Sequence, residues 1–165
     1  YFEKNLEAFT KKADALADAL RADQASVPDG NLKLVTYHDA YAYVADEYGW
    51  TVVGAVQPSS FAEPTPREVA ALIDQIENSG VTAVFGSEVF PSPVLEQIAA
   101  ESGAVYVADL RDDDLPGAPG DPDHSWVALM QFNFVTIVEA LGGDAIAVRA
   151  LDITPVAPDT ATYPQ

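Results

Sequence analysis

Only two histidines occur in the chain, and both stand beside carboxylates. His38 precedes Asp39, and His124 closes the stretch GDPDHS together with Asp121 and Asp123. Further acids lie between them: Glu88, Asp109 and the run Asp112, Asp113 and Asp114. Imidazole nitrogen with hard carboxylate oxygen, and no thiolate, is a donor set for Zn²⁺ or Mn²⁺. Each residue also has a plainer reading. His38 stands where a strand gives way to a helix, its ring satisfied by backbone, and His124 likewise precedes a helix. Asp39 in a first helical turn favours the helix dipole. Glu88 caps the helix that follows it, and the DDD run is a solvated loop. No pair is spaced like H-E-x-x-H, and the chain holds no G-x-G-x-x-G, P-loop or G-x-S-x-G. Zero cysteines exclude disulfides, zinc–thiolate sites and cysteine nucleophiles. From these residues alone both readings stay open.

The elements that must hold them follow from hydrophobic period and punctuation. Runs at residues 32–37, 51–56, 82–85 and 105–108 read as strands, and helical patterns fall at 39–48, 66–77, 93–102 and 126–141. EPTPREVAALIDQI is fully punctuated, with Thr65 as N-cap, Pro66 in the first helical position and Glu68 in the third. Strand and helix in alternation predict an α/β fold: a four-stranded parallel sheet with helices on both faces, over residues 31–143. A long helix precedes it over residues 1–25, with Phe2, Leu6, Phe9, Ala13, Leu16 and Leu20 spaced four and three apart. No Ser, Thr, Asp or Asn stands ahead of that helix as a cap, so the chain reads as a piece of a longer protein. Residues 152–165 carry three prolines and no period, and read as an extended tail. In this arrangement His38, Glu88 and the acidic run all fall at the carboxyl ends of strands, where open α/β sheets bind ligands.

Composition narrows the partners. The 165 residues carry a net charge of -18, which repels nucleic acid and anionic membrane surfaces alike. No apolar run reaches the length that crosses a bilayer, so membrane insertion is not expected.

Three segments, in order, carry a resemblance: VTYHDAYAYVADEYGW, then EPTPREVAALIDQIENSGVTAVFGSEVFPSPVLEQIAAESGAVYV, then PGDPDHSWVALMQFNFVTIVEALGG. Together they resemble the zinc/manganese solute-binding proteins of bacterial ABC transporters, over residues 1–143. The resemblance implies two lobes joined by a long helix, with the metal between them. This chain then corresponds to the spanning helix and the C-terminal lobe, the N-terminal lobe being absent. The implied function is capture of Zn²⁺ or Mn²⁺ outside the cytoplasm, in the periplasm or on a cell-surface lipoprotein, and delivery to an ABC permease without turnover. His38 matches the first ligand of the C-terminal lobe. The family's second ligand there is an Asp in a G-D pair ahead of the last helix, and GDPDHSW is longer. Asp121 matches by residue type, His124 by distance to ALM, and Asp123 lies between them. Glu88 matches an acid that the resemblance makes a support for a ligand imidazole. The two histidines of the N-terminal lobe have no counterpart, so the chain carries half a site. Two other classes stand beside this one. A metal-dependent hydrolase of flavodoxin-like architecture needs an activated water or a paired nucleophile. An acidic surface interaction or adhesion module would use the acidic face and the tail.

Overall fold

The computed structural model describes residues 1–57, 63–88, 92–112 and 114–158, so Asp113 and the tail beyond Pro158 lie outside the described residues. Helix α1 (Phe2–Gln24) leads the chain, followed by β1 (Lys33–His38), α2 (Ala42–Tyr48), β2 (Thr51–Gln57) and α3 (Pro66–Ser79). Then come β3 (Ala83–Ser87), α4 (Pro93–Ser102), β4 (Val105–Leu110), α5 (Trp126–Ala140) and the short α6 (Ile146–Arg149). The four strands form one sheet in the order β2-β1-β3-β4, and every pairing is parallel. The α/β architecture expected from the alternation of elements is the one observed.

Local signals explain most boundaries. Thr65 accepts from the Glu68 N–H while the Glu68 carboxylate accepts from the Thr65 N–H, a reciprocal cap at the start of α3. Gly80, at φ 65°, ends that helix in the left-handed region. Ser92 and Ser125 cap α4 and α5. The sheet is covered on both faces. Leu16 and Leu20 of α1 pack with Leu34, Phe85, Phe134 and Ile137 on one side; Val35 and Val84 meet Leu72, Ile76, Leu95 and Ile98 on the other. Burial of this kind stabilises by about 25 cal/mol per Å² of apolar surface, and it determines which way each strand faces. No helix among the described residues is long and apolar enough to cross a membrane.

Three features depart from the pattern. Helix α2 starts at Ala42, not at Asp39, because β1 extends through His38, which pairs with Gln57, and the Ala40 N–H then donates to the His38 carbonyl (3.0 Å). Asp39 is therefore an exposed connecting residue and not part of a first helical turn. Helix α6 has no signal of its own. At four residues it is far too short to nucleate alone, and it is held from outside. Asp23, buried on α1, accepts from the N–H groups of Ala147 (2.9 Å) and Val148 (2.7 Å). Finally, the start of the proline-rich segment carries no helix or strand yet is fastened: Lys12 donates to the Asp152 carbonyl and carboxylate (2.6 and 2.7 Å), and Ser125 Oγ to the Ile153 carbonyl (3.0 Å).

Candidate metal centre

Strand order decides where a ligand can sit. β1 and β3 are neighbours, but β1 leads into α2 on the α1/α5 face while β3 leads into α4 on the opposite face. With those helices on opposite faces, the carboxyl ends of β1 and β3 are the switch point of the sheet, where doubly wound folds bind ligands. His38 is the last residue of β1, half-buried, and by the strand's period of two it shares the face of Leu34. Its ring meets the Tyr37 ring edge-on with centroids 4.6 Å apart. The backbone beneath it is held by Thr36, whose hydroxyl donates to the His38 carbonyl (2.6 Å).

On the neighbouring strand Glu88 follows β3, its N–H donating to the Leu110 carbonyl (3.1 Å). It does not cap α4, since Ser92 fills that role. Its carboxylate lies 3.8 Å from the Arg111 guanidinium, beyond hydrogen-bond reach. Both Glu88 carboxylate oxygens are buried without a hydrogen-bond partner among the described residues, as are Arg111 Nε and Asp112 Oδ2. Burial pushes the Glu88 carboxyl above its ordinary pKa; Asp112 and Asp114 add to the rise, and Arg111 offsets only part of it. Tyr41 beside them is raised well above the usual tyrosine range by burial, then by Asp112 and Glu88, so its hydroxyl stays a neutral donor. The Arg111 guanidinium lies over the Phe132 ring, 5.2 Å from its centroid. Carboxylate oxygens held out of water in this way are strong acceptors for an imidazole N–H or a cation.

The loop from Arg111 to the cap of α5 carries the other candidates. Asp121 is exposed and shapes a turn: its N–H donates to the Ala118 carbonyl and its carboxylate accepts from the Ala118 N–H, both at 2.9 Å. The Asp121 and Asp123 carboxylates close on Gly117, where φ is 66° and a Cβ would stand 2.6 Å from Asp123 Oδ1, so only glycine serves there. His124 is half-buried, with Nδ1 3.0 Å from the Pro116 carbonyl oxygen. A carbonyl only accepts, so Nδ1 carries a proton. Metal-ligating imidazoles are commonly oriented this way. The neighbours part company beyond that point. His124 borders a cleft of about 220 Å³ with Phe9, Lys12 and Trp126. Asp123 borders a different one of about 530 Å³ with Arg111, Gln131 and Arg149.

The structure thus gathers Asp121, Asp123 and His124 in one loop, sets Glu88 with Arg111 and Asp112, and leaves His38 on the neighbouring strand end. Among the described residues no three or more His, Asp or Glu side chains are grouped so as to hold a metal ion. Asp109 and Asp114 are exposed. Sequence reasoning missed Tyr41, Arg111 and Asn133. The last has a signal, a polar residue inside the apolar run LMQFNFV; the first two have none.

A family model described as the periplasmic zinc-uptake complex component A matches residues 1–140. The iron-binding protein YfeA of Yersinia pestis is 28% identical over 141 residues, which is 86% of this chain and 45% of that protein. The manganese-binding lipoprotein MntA of Bacillus subtilis (strain 168) is 28% identical over 144 residues, covering 85% of this chain and 47% of its own length. Among solved structures, the periplasmic zinc-binding protein TroA of Treponema pallidum superposes with a TM-score of 0.69 at 26% identity, over 82% of this chain and 50% of that one. The chain spans about half the length of these relatives.

Proposed function

This chain belongs to the family of the periplasmic zinc-uptake complex component A, and we propose that it supplies half of a metal-capture site that delivers a divalent transition metal to an ABC permease outside the cytoplasm. The observation that carries the reading is the switch point between the carboxyl ends of β1 and β3. His38 ends β1 there, and Glu88 follows the neighbouring β3 with both carboxylate oxygens buried and, among the described residues, without a hydrogen-bond partner. His38 is one ligand. One of Asp121, Asp123 and His124, on the loop before α5, is the second. Glu88 supports an imidazole and is not itself a ligand. The remaining ligands come from an N-terminal lobe, in the half of the relatives' length that this chain does not span.

The chemistry is binding without turnover. Two ligands in place of four hold a metal weakly, because each added bond forms in a geometry the others have already organised. The relatives are named for iron, manganese and zinc, and the donors here suit either class: imidazole favours zinc, added carboxylate oxygen favours manganese. Calorimetric titration of this chain and of His38→Ala with Zn²⁺ and with Mn²⁺ tests the proposal, alongside a turnover screen with phosphate and carboxylate esters. Weak binding lost in His38→Ala, with no turnover, is expected. Metal-dependent hydrolysis, or zinc binding indifferent to His38, refutes it.

A further inference from the structure

We infer that Asn133 is the positioning residue of this metal-capture rim: it sets where the loop bearing Asp121, Asp123 and His124 leaves the sheet. The inference rests on the reading above that the rim binds a metal. It begins with the backbone. The Leu110 carbonyl turns toward β3 and accepts from the Glu88 N–H (3.1 Å). By the alternation of an extended chain, the N–H and C=O of Arg111 then turn the other way. β4 is the edge of the sheet among the described residues, so none of their strands stands there to receive them. The Asn133 side chain takes both. Its Oδ1 accepts from the Arg111 N–H and its Nδ2 donates to the Arg111 carbonyl, each at 2.8 Å.

Packing alone does not call for Asn at this point. The residue is 4% exposed and is flanked in α5 by Phe134, Val135 and Ile137, all buried in the core. An apolar side chain of similar size would fill the space. Only a carboxamide offers a donor and an acceptor side by side, matched to one residue of backbone. What the clamp holds is the loop. Arg111 is its first residue, and Asn133 sits on the helix that ends it. Ser125 pins the far end by capping α5 and donating to the Ile153 carbonyl (3.0 Å). Both ends of the loop are therefore fixed to α5, and His124, one residue before the cap, has its distance from Glu88 set by that anchorage. The same Arg111 whose backbone is clamped directs its guanidinium toward Glu88 and over Phe132. One amide thus connects the loop with the candidate ligands to the acid that follows β3.

The test compares Asn133→Leu with Ile98→Val, a truncation in the core on the far side of the sheet, both in the full chain. Hydrogen exchange by NMR is read at the amides of Arg111, Asp121 and His124, and Zn²⁺ affinity by calorimetry. Asn133→Leu is expected to lose protection at those amides and to bind Zn²⁺ about tenfold or more weakly, the scale seen when residues behind a metal ligand are removed. Ile98→Val should lower the melting temperature and leave both readouts unchanged, which separates positioning from general stability. If Asn133→Leu does not fold, Asn133→Ser is read in its place. Wild-type loop protection, or wild-type zinc affinity, in a folded Asn133 variant overturns the inference. A wild-type chain that does not bind Zn²⁺, with loop protection lost in the variant, refutes the metal reading while the anchoring of the loop stands.

Discussion

Asp23 offers the sharpest test of how the long helix is joined to the rest of the fold. Replacing it with alanine removes the acceptor for two backbone N–H groups, at 2.9 Å from Ala147 and 2.7 Å from Val148. Hydrogen bonds to a charged acceptor contribute about 1.5–3 kcal/mol each. The two sites differ, however. The Ala147 N–H is half-buried and can turn to water, whereas the Val148 N–H is buried and would be left unpaired. One full loss and one partial loss give about 2–4 kcal/mol. For a chain of this length that corresponds to roughly 5–15 °C in melting temperature. Asp23→Asn should lose about half as much, since its single carboxamide oxygen is the only acceptor left for the two donors. Thermal melts and urea titrations of the three proteins provide the measurement. An Asp23→Ala protein melting within about 1 °C of the parent would refute the reasoning, because leaving the buried Val148 N–H unpaired cannot cost so little.

His38→Ala should cost no more than about 1 kcal/mol, the scale of its edge-on contact with Tyr37, while abolishing zinc binding; a melt and a titration on one sample read both. Glu88→Gln should raise stability near neutral pH. The native carboxyl has a raised pKa, so its favourable contribution is present below the ordinary value of 4.5 and is lost as pH rises through the folded value. Melts from about pH 3 to 8 should show the variant's advantage appear across that window, and an advantage already full at the acid end would contradict the burial argument. Gly86→Ala places a Cβ 2.7 Å from the Tyr106 hydroxyl and 3.1 Å from its ring. It should cost about 1–3 kcal/mol in urea, part of which Tyr106→Phe restores by removing the nearest atom.

Nearly all of the architecture could be read in advance because its causes are local. The Thr65–Glu68 cap with Pro66, and the β-branched runs between amphipathic helices, act over a few residues, so they predict a parallel α/β sheet without any knowledge of contacts. The position of His38 at the carboxyl edge of the sheet was legible for the same reason, as the residue that follows a strand run. The errors lie where distant segments intervene. Asp39 fell outside α2 because pairing with Gln57 carried β1 one residue further. Helix α6 exists because Asp23, far away on α1, caps it.

The site divides along the same line. Residue types announced imidazole and carboxylate at the carboxyl edge, and spacing put Asp121, Asp123 and His124 in one loop. Spacing could not reveal that Asp121 shapes a turn, that Asp123 and His124 border different clefts, or that Glu88 is buried beside Arg111. Nor could it show Asn133 reaching across from α5 to hold the end of β4. Hydrophobic period and caps are properties of neighbouring residues, set by backbone geometry that every chain shares. Which polar group is buried, and against what, depends on chain crossings that exist only once the sheet has closed its strand order and both layers have packed.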